Sequence, residues 1–214
     1  MDLILVRHGL TDWNEQGRLM GRSDIALNAS GQAQVQAVAE ALRSMPIQAV
    51  LSSPQRRTQQ TAEAVARLHQ LSVRTEPALA EVWLGRWQGM TWNELKDDPD
   101  VARHLADPTH VSDASEAGTS VHERVVGLVE GLRVGAMQCI VLVSHGDPLR
   151  ILLAHYLSLP LAAYRRLEVA PASVSVLRFS VTSGVRMTLL NWRPHRAAHQ
   201  LPATARPSLA EQIA

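Results

Sequence analysis

Three short stretches place imidazole or guanidinium groups beside turn-forming residues: Arg7-His8-Gly9, Arg56-Arg57 just after Ser52-Ser53-Pro54, and Ser144-His145-Gly146. Brought together, two histidines and at least one arginine suit phosphoryl transfer. Charge on a phosphoryl group is spread over three oxygens and needs preorganised donors, and a guanidinium can meet two of those oxygens at once. A histidine whose one ring nitrogen is held by a backbone carbonyl can attack phosphorus with the other, giving a covalent phosphohistidine that water then breaks. That chemistry calls for no metal and no cofactor. The departing alkoxide still needs a proton, and a carboxyl kept protonated by partial burial can give it.

The elements that must position these groups can be read from periodicity. Asp2–Val6, Ile47–Leu51 and Ile140–Val143 are apolar runs of strand length, and Val73–Thr75 is a short further one. Helical spacing runs from Asn28 or Ser30 to about Arg43, from Gln55 to Gln70, from Ser120 to Val134 with Thr119 or Ser120 as cap, and from Pro148 to Leu157. A looser helix over Thr91–Ala106 is broken at Pro99, and Pro77–Gly89 and Asp107–Gly118 are irregular. Val174–Phe179 and Val185–Leu190 alternate around Thr182-Ser183-Gly184, a hairpin signal.

Strands alternating with helices predict an α/β domain over 1–192: a three-layer sandwich with a mainly parallel central sheet, a C-terminal antiparallel hairpin and helices on both faces. Residues 193–214 read as a partly disordered or surface-packed tail. Ligands bind beyond the carboxyl ends of strands in open parallel sheets, and three such ends here carry the basic clusters.

Composition narrows the setting. A chain of 214 residues, 46% hydrophobic, can bury one core without disulfides or metal. Its single cysteine, Cys139, lies in a predicted strand, and the short apolar N-terminus reads as a strand rather than a leader or span, so a cytoplasmic location is expected. With 21 Lys+Arg against 20 Asp+Glu there is no broad basic field for nucleic acid, and no membrane partner is expected. The expected partner is a small-molecule phosphate ester. Oligomeric state is left open, a homodimer included.

The motifs taken in order resemble the histidine phosphatase superfamily, which includes the cofactor-dependent phosphoglycerate mutases. The likeness runs through Arg7-His8-Gly9 with Thr11, Trp13-Asn14, Gly17, Gly21, Asp24 and Leu27-Asn28. It continues in Ser52 to Thr61, in Leu79-Ala80-Glu81 with Gly85 to Gly89, and in Val143-Ser144-His145-Gly146. The resemblance implies His8 as nucleophile, Arg7, Arg57 and His145 as the phosphate pocket, and Glu81 as proton donor. It also implies phosphate contacts from Asn14, Gly21 and the backbone at Gly146. Successive helical residues face about 100° apart, so Arg56 should point to the surface if Arg57 points inward.

Leu10, Met20, Gln88, Thr119 and Asp147-Pro148 depart from the family's usual residues. None removes a member of the core set, but they leave the substrate open. The expected activity is metal-independent phosphomonoester hydrolysis. A mutase is the alternative; such members usually carry a longer insertion after the third motif and a Glu-Ser pair where this chain has Leu10-Thr11. A non-catalytic phospholigand-binding protein is the third reading, and it would be marked by loss of His8, Arg57 or His145. Trp13, Trp83, Trp87 and Trp92 are expected around the mouth, either shaping a pocket or packing under loops. Ser52-Ser53 is read as capping the following helix rather than as a nucleophile. His195 and His199 have the spacing of a metal pair, but are read as solvated.

Overall fold

The runs Leu3-Ile4-Leu5-Val6 and Ile140-Val141-Leu142-Val143 show no polar alternation, the pattern of strands covered on both faces. In the computed structural model, which describes residues 1–111 and 115–194, they form the middle of one six-stranded sheet. The elements in chain order are β1 (Asp2–Arg7), α1 (Asp12–Glu15), α2 (Ala29–Leu42), β2 (Ala49–Ser52), α3 (Arg56–Leu68) and β3 (Val73–Thr75). Then come α4 (Trp92–Leu95), α5 (Pro99–Ala106), α6 (Gly118–Arg133), β4 (Cys139–Ser144), α7 (Gly146–Tyr156), β5 (Val174–Ser180) and β6 (Gly184–Trp192). The strand order is β3-β2-β4-β1-β5-β6. The first four of these strands are mutually parallel, and β5 and β6 are antiparallel additions on the β1 edge.

Side chains alternate between the two faces of each strand. Ile4, Val6, Val141 and Val143 pack with Val35, Val38, Leu42 and Val65 of α2 and α3. Leu3, Leu5, Ile140 and Leu142 pack with Val121, Val125, Val129 and Leu152 of α6 and α7. Fully burying each such side chain contributes about 1.5–3 kcal/mol, so the two sheet faces dominate what holds β1 and β4 in place. A smaller third cluster, Trp87, Leu95 and Val101, lies under the α4–α5 segment.

The three-layer α/β arrangement is therefore as expected, while several boundaries move. Helix α6 begins at Gly118, so Ala117 rather than Thr119 or Ser120 is its cap residue. The reason is a brace: the Thr119 N–H donates to the Pro108 carbonyl at 3.1 Å, drawing the helix start toward Asp107-Pro108. Helix α7 begins two residues before Pro148, and α3 ends two residues before Gln70, whose φ of 56° leaves the helix. Strand β2 runs from Ala49 to Ser52 rather than from Ile47. Helix α1, absent from the sequence reading, is built on a reciprocal cap between Thr11 and Asn14. A 3₁₀ segment at Leu161–Arg166 was likewise not anticipated. The expected tail with His195 and His199 lies outside the described residues beyond Pro194.

Candidate active site

Strands β1 and β4 are neighbours in register, with Val6 opposite Val143 and Arg7 opposite Ser144. One more step places His8 opposite His145 just past both strand ends, and the His8 N–H still donates to the Ser144 carbonyl at 3.1 Å. Parallel strands lie about 4.8 Å apart, so the two imidazoles must be close. Their ring centroids are 5.3 Å apart in an edge-on arrangement. Both residues are fully buried.

Hydrogen bonding fixes the two rings differently. His8 Nδ1 lies 2.7 Å from the Gly9 carbonyl, so Nδ1 carries the proton and Nε2 is left as a lone pair. His145 Nε2 lies 2.7 Å from Ser53 Oγ and 3.0 Å from Gln55 Oε1. The amide oxygen can only accept, so the His145 proton sits on Nε2 and the lone pair on Nδ1. Burial, reinforced by the charges of Arg57 and Arg7, holds His8 well below the usual histidine range. Burial first, then Arg57, does the same to His145. Both rings are neutral at pH 7.

The Gly9 carbonyl that orients His8 is itself pinned. A Cβ on Gly31, at the start of α2, would come within 2.0 Å of the Leu10 carbonyl oxygen, and one on Gly9 within 2.7 Å of the Gly31 carbonyl oxygen. Only hydrogen at these two positions lets the loop after β1 lie against α2. Asn28 caps the same helix through a 2.8 Å bond from the Gly31 N–H.

Arg57 is fully buried in the first turn of α3 and Arg56 is exposed, the orientation expected. Arg57 Nη1 and Nη2 donate to the carbonyls of Ser23 and Gly21 at 2.7 and 2.8 Å. Arg7 Nη1 donates to the Val169 carbonyl at 2.6 Å. Neither guanidinium has a carboxylate ion-pair partner among the described residues. Burial lowers Arg57 to about 10 and lowers Arg7 as well, in each case against the opposing pull of Glu81. Arg7 Nε, His8 Nε2, Arg57 Nε and His145 Nδ1 are buried polar atoms with no hydrogen-bond partner. The four residues singled out by the sequence thus present four unsatisfied atoms.

Glu81 follows the 3₁₀ turn Pro77–Leu79 and is half-buried. Its carboxyl is pushed up to about 7, by burial first and by Asp147 second, with Arg57, the Val82 N–H and Arg7 opposing. Its backbone is clamped from the far side: Arg22 Nε donates to the Glu81 carbonyl at 3.0 Å, and Arg22 and Arg124 both pair with Glu116. Sequence reasoning singled out none of Arg22, Arg124 and Glu116; Arg22 and Glu116 lie 94 positions apart, and none of the three carries a motif.

Other expected positions resolve less directly. Gly21, at φ +48°, contributes its carbonyl to Arg57. Asn14 Oδ1 accepts from the Thr11 N–H in the α1 cap, leaving its amide nitrogen without a partner among the described residues. Gly146 opens α7, where backbone donors have no intrahelical acceptor, and a Cβ there would lie 3.7 Å from Arg7 Cζ. Ser53 does not cap α3: Gln55 is the cap residue, and the Ser53 hydroxyl bonds to Gln55 and His145 instead. Of the tryptophans, Trp87 is buried and donates to Asp98 at 2.9 Å, whereas Trp83 and Trp92 are exposed. Among the described residues no group of three or more His, Cys, Asp or Glu is arranged to hold a metal ion, and no helix is long and apolar enough to cross a membrane.

This geometry has counterparts. The family model of the histidine phosphatase superfamily (branch 1) matches residues 3–193, and the chain belongs to that superfamily. Phosphoserine phosphatase 1 of Hydrogenobacter thermophilus is 32% identical over 191 residues, covering 87% of this chain and 90% of the relative. A probable phosphoglycerate mutase GpmB of Proteus mirabilis is 34% identical over 184 residues, covering 82% and 83%. Among solved structures, a mycobacterial glucosyl-3-phosphoglycerate phosphatase in complex with VO3 superposes with a TM-score of 0.78 at 31% identity, covering 89% of this chain and 98% of that one.

Proposed function

We propose that the chain hydrolyses phosphomonoesters of small organic alcohols through a phosphohistidine at His8, without a metal ion. One observation carries the reading. Two guanidiniums without ion-pair partners, Arg57 buried and Arg7 partly so, and two neutral imidazoles converge with Arg7 Nε, His8 Nε2, Arg57 Nε and His145 Nδ1 all unpartnered. A phosphate monoester has the charge and acceptor oxygens for the two guanidinium donors, while its phosphorus and a P–O–H proton can meet the ring lone pairs of His8 and His145. VO3, in complex with the mycobacterial phosphatase, is likewise an oxyanion.

In the first step the Nε2 lone pair of His8 forms a bond to phosphorus as the phosphorus–ester oxygen bond breaks. The Nδ1–H bond to the Gly9 carbonyl stabilises the positive charge the ring acquires. Arg7 and Arg57 hold the equatorial oxygens, and His145 Nδ1 accepts the proton of a P–O–H group. The alkoxide takes the proton of Glu81, which at about 7 is still partly protonated at neutral pH. In the second step Glu81, now a carboxylate, takes a proton from water as its oxygen attacks phosphorus. The phosphorus–Nε2 bond breaks and inorganic phosphate leaves. A mutase, the reading favoured by the Proteus relative, shares the first step and differs only in what accepts the phosphoryl group.

The test is release of phosphate from p-nitrophenyl phosphate with a chelator present, beside His8→Ala. Wild type is expected to turn over under chelation and, when denatured after brief exposure to substrate, to carry acid-labile phosphate. Strict dependence on divalent metal, or retained turnover in His8→Ala, refutes the mechanism.

A further inference from the structure

Beside the phosphate pocket lies a cavity of about 250 Å³ that the chemistry above does not use. Its walls are apolar, formed by Leu19, Leu84, Trp87, Trp92, Val101 and Leu105. Trp92 and Leu105 are among the exposed large hydrophobic residues of the chain, 51% and 42% accessible, so the cavity has an apolar rim open to solvent. A dry cavity of about 150 Å³ accepts a benzene ring, so this one has room for one or two rings.

The polar residues of its lining are His104, Asp147, Arg150 and Arg165. Asp147 and Arg150 are paired at 2.9 Å. They border the phosphate pocket: a Cβ on Gly146 would lie 3.4 Å from Arg150 Nη1 and 3.7 Å from Arg7 Cζ, so the two guanidiniums flank the same residue. Arg150 already has its counterion. Arg165 has none among the described residues. Its Nη1 donates to the His104 and Leu105 carbonyls at 3.1 and 3.4 Å, its Nη2 lies 2.9 Å from His104 Nε2, and its guanidinium lies over the Tyr164 ring at 4.5 Å. An arginine can only donate, so His104 Nε2 is the acceptor, and that ring is a neutral partner. Burial first and Arg165 second lower His104 to about 4, in keeping with that assignment. The Arg165 Nε–H and one Nη2–H have no protein partner, and neither nitrogen is among the sealed, unsatisfied atoms. A guanidinium is thus fixed by three acceptors and an aromatic face, with donors and a full charge to spare, on an otherwise apolar wall.

We propose that this cavity holds the alcohol portion of the ester, and that Arg165 selects alcohols whose ring-sized apolar body carries a carboxylate. The inference rests on the hydrolytic reading of the site. Small, wholly polar esters leave the apolar walls uncovered.

The experiment compares kcat/KM for 4-carboxyphenyl and 6-carboxy-2-naphthyl phosphates with their neutral carboxamide counterparts, which have similar leaving groups. Wild type is expected to prefer at least one carboxylate by about tenfold, the discrimination typical of a charge-assisted hydrogen bond. Arg165→Gln should bring the ratio close to one through KM rather than kcat. Leu105→Trp, which fills the rim and keeps the backbone carbonyl that accepts from Arg165, should lower the ratio of phenyl phosphate to glycerol 2-phosphate at least threefold. No carboxylate preference in wild type, equal losses on both members of a pair in Arg165→Gln, or an unchanged ratio in Leu105→Trp overturns the proposal while leaving hydrolysis intact. If none of these esters is hydrolysed by wild type, the hydrolytic reading fails and the subsite with it.

Discussion

Replacing Asp147 by Asn is expected to move the alkaline limb of the pH–rate profile toward acid. Glu81 is pushed up to about 7 by burial and by the Asp147 carboxylate. Only its protonated form can serve the leaving group, so activity falls as pH rises through that value. Removing a neighbouring charge in partly screened surroundings is worth about 1 kcal/mol, or roughly 0.7 of a pH unit. Arg150 loses its partner in the same variant and pulls in the same direction. With the limb near pH 6.3, the protonated fraction at pH 7 drops from about one half to about one sixth, a threefold loss of kcat/KM, while below about pH 5.5 the two enzymes converge. The assay is kcat/KM from pH 5 to 9 on an alkyl phosphate, whose leaving group needs the proton. With p-nitrophenyl phosphate, a good leaving group, the shift should be smaller. Asp147 also holds Arg150 and meets the Tyr164 hydroxyl, so general damage would depress the acid plateau as well. A limb that stays in place in Asp147→Asn, or one that survives in Glu81→Gln, refutes the assignment of Glu81 as the titrating donor.

Arg57→Lys should keep the charge but lose the two-pronged anchorage on the Gly21 and Ser23 carbonyls, and kcat/KM should fall about 100-fold with the fold intact by circular dichroism; a loss under threefold removes Arg57 from the pocket. Gly31→Ala forces a methyl group to within 2.0 Å of the Leu10 carbonyl oxygen unless the loop moves. A destabilisation of about 2 kcal/mol, or roughly 4–8 °C in Tm, is expected, together with reduced turnover because the Gly9 carbonyl moves with that loop. An unchanged Tm would show that the contact is not tight.

The sheet and the four residues at its strand ends could be read from the sequence because both depend on local pattern. The apolar runs of β1 and β4 are continuous because both faces are covered, and His8 and His145 follow the last strand residue in each case. Arg57 could be chosen over Arg56 only through the family likeness, since helical spacing says that the two diverge without saying which turns inward. What escaped the reading depends on contacts distant in sequence. Arg124 reaches the Ala78 carbonyl 46 positions away, and Arg165 reaches His104 61 positions away. The misread caps failed for a related reason: Ser53 has the composition of a cap but is recruited by His145, 92 positions on. Helix α1 did leave a local signal, the Thr11-x-x-Asn14 pairing, though over four residues it is faint.

The pairing of Arg7 and Arg57 with carbonyls alone has a consequence for the end of the catalytic cycle. On the proposed hydrolytic reading, a pocket whose two arginines have no ion-pair partner does not distinguish the guest's fate, because inorganic phosphate offers the same oxygens as the ester that delivered it. Clearance of the product would then depend on re-solvating the buried Arg57 and the partly buried Arg7. Ambient orthophosphate would compete with the ester for that centre.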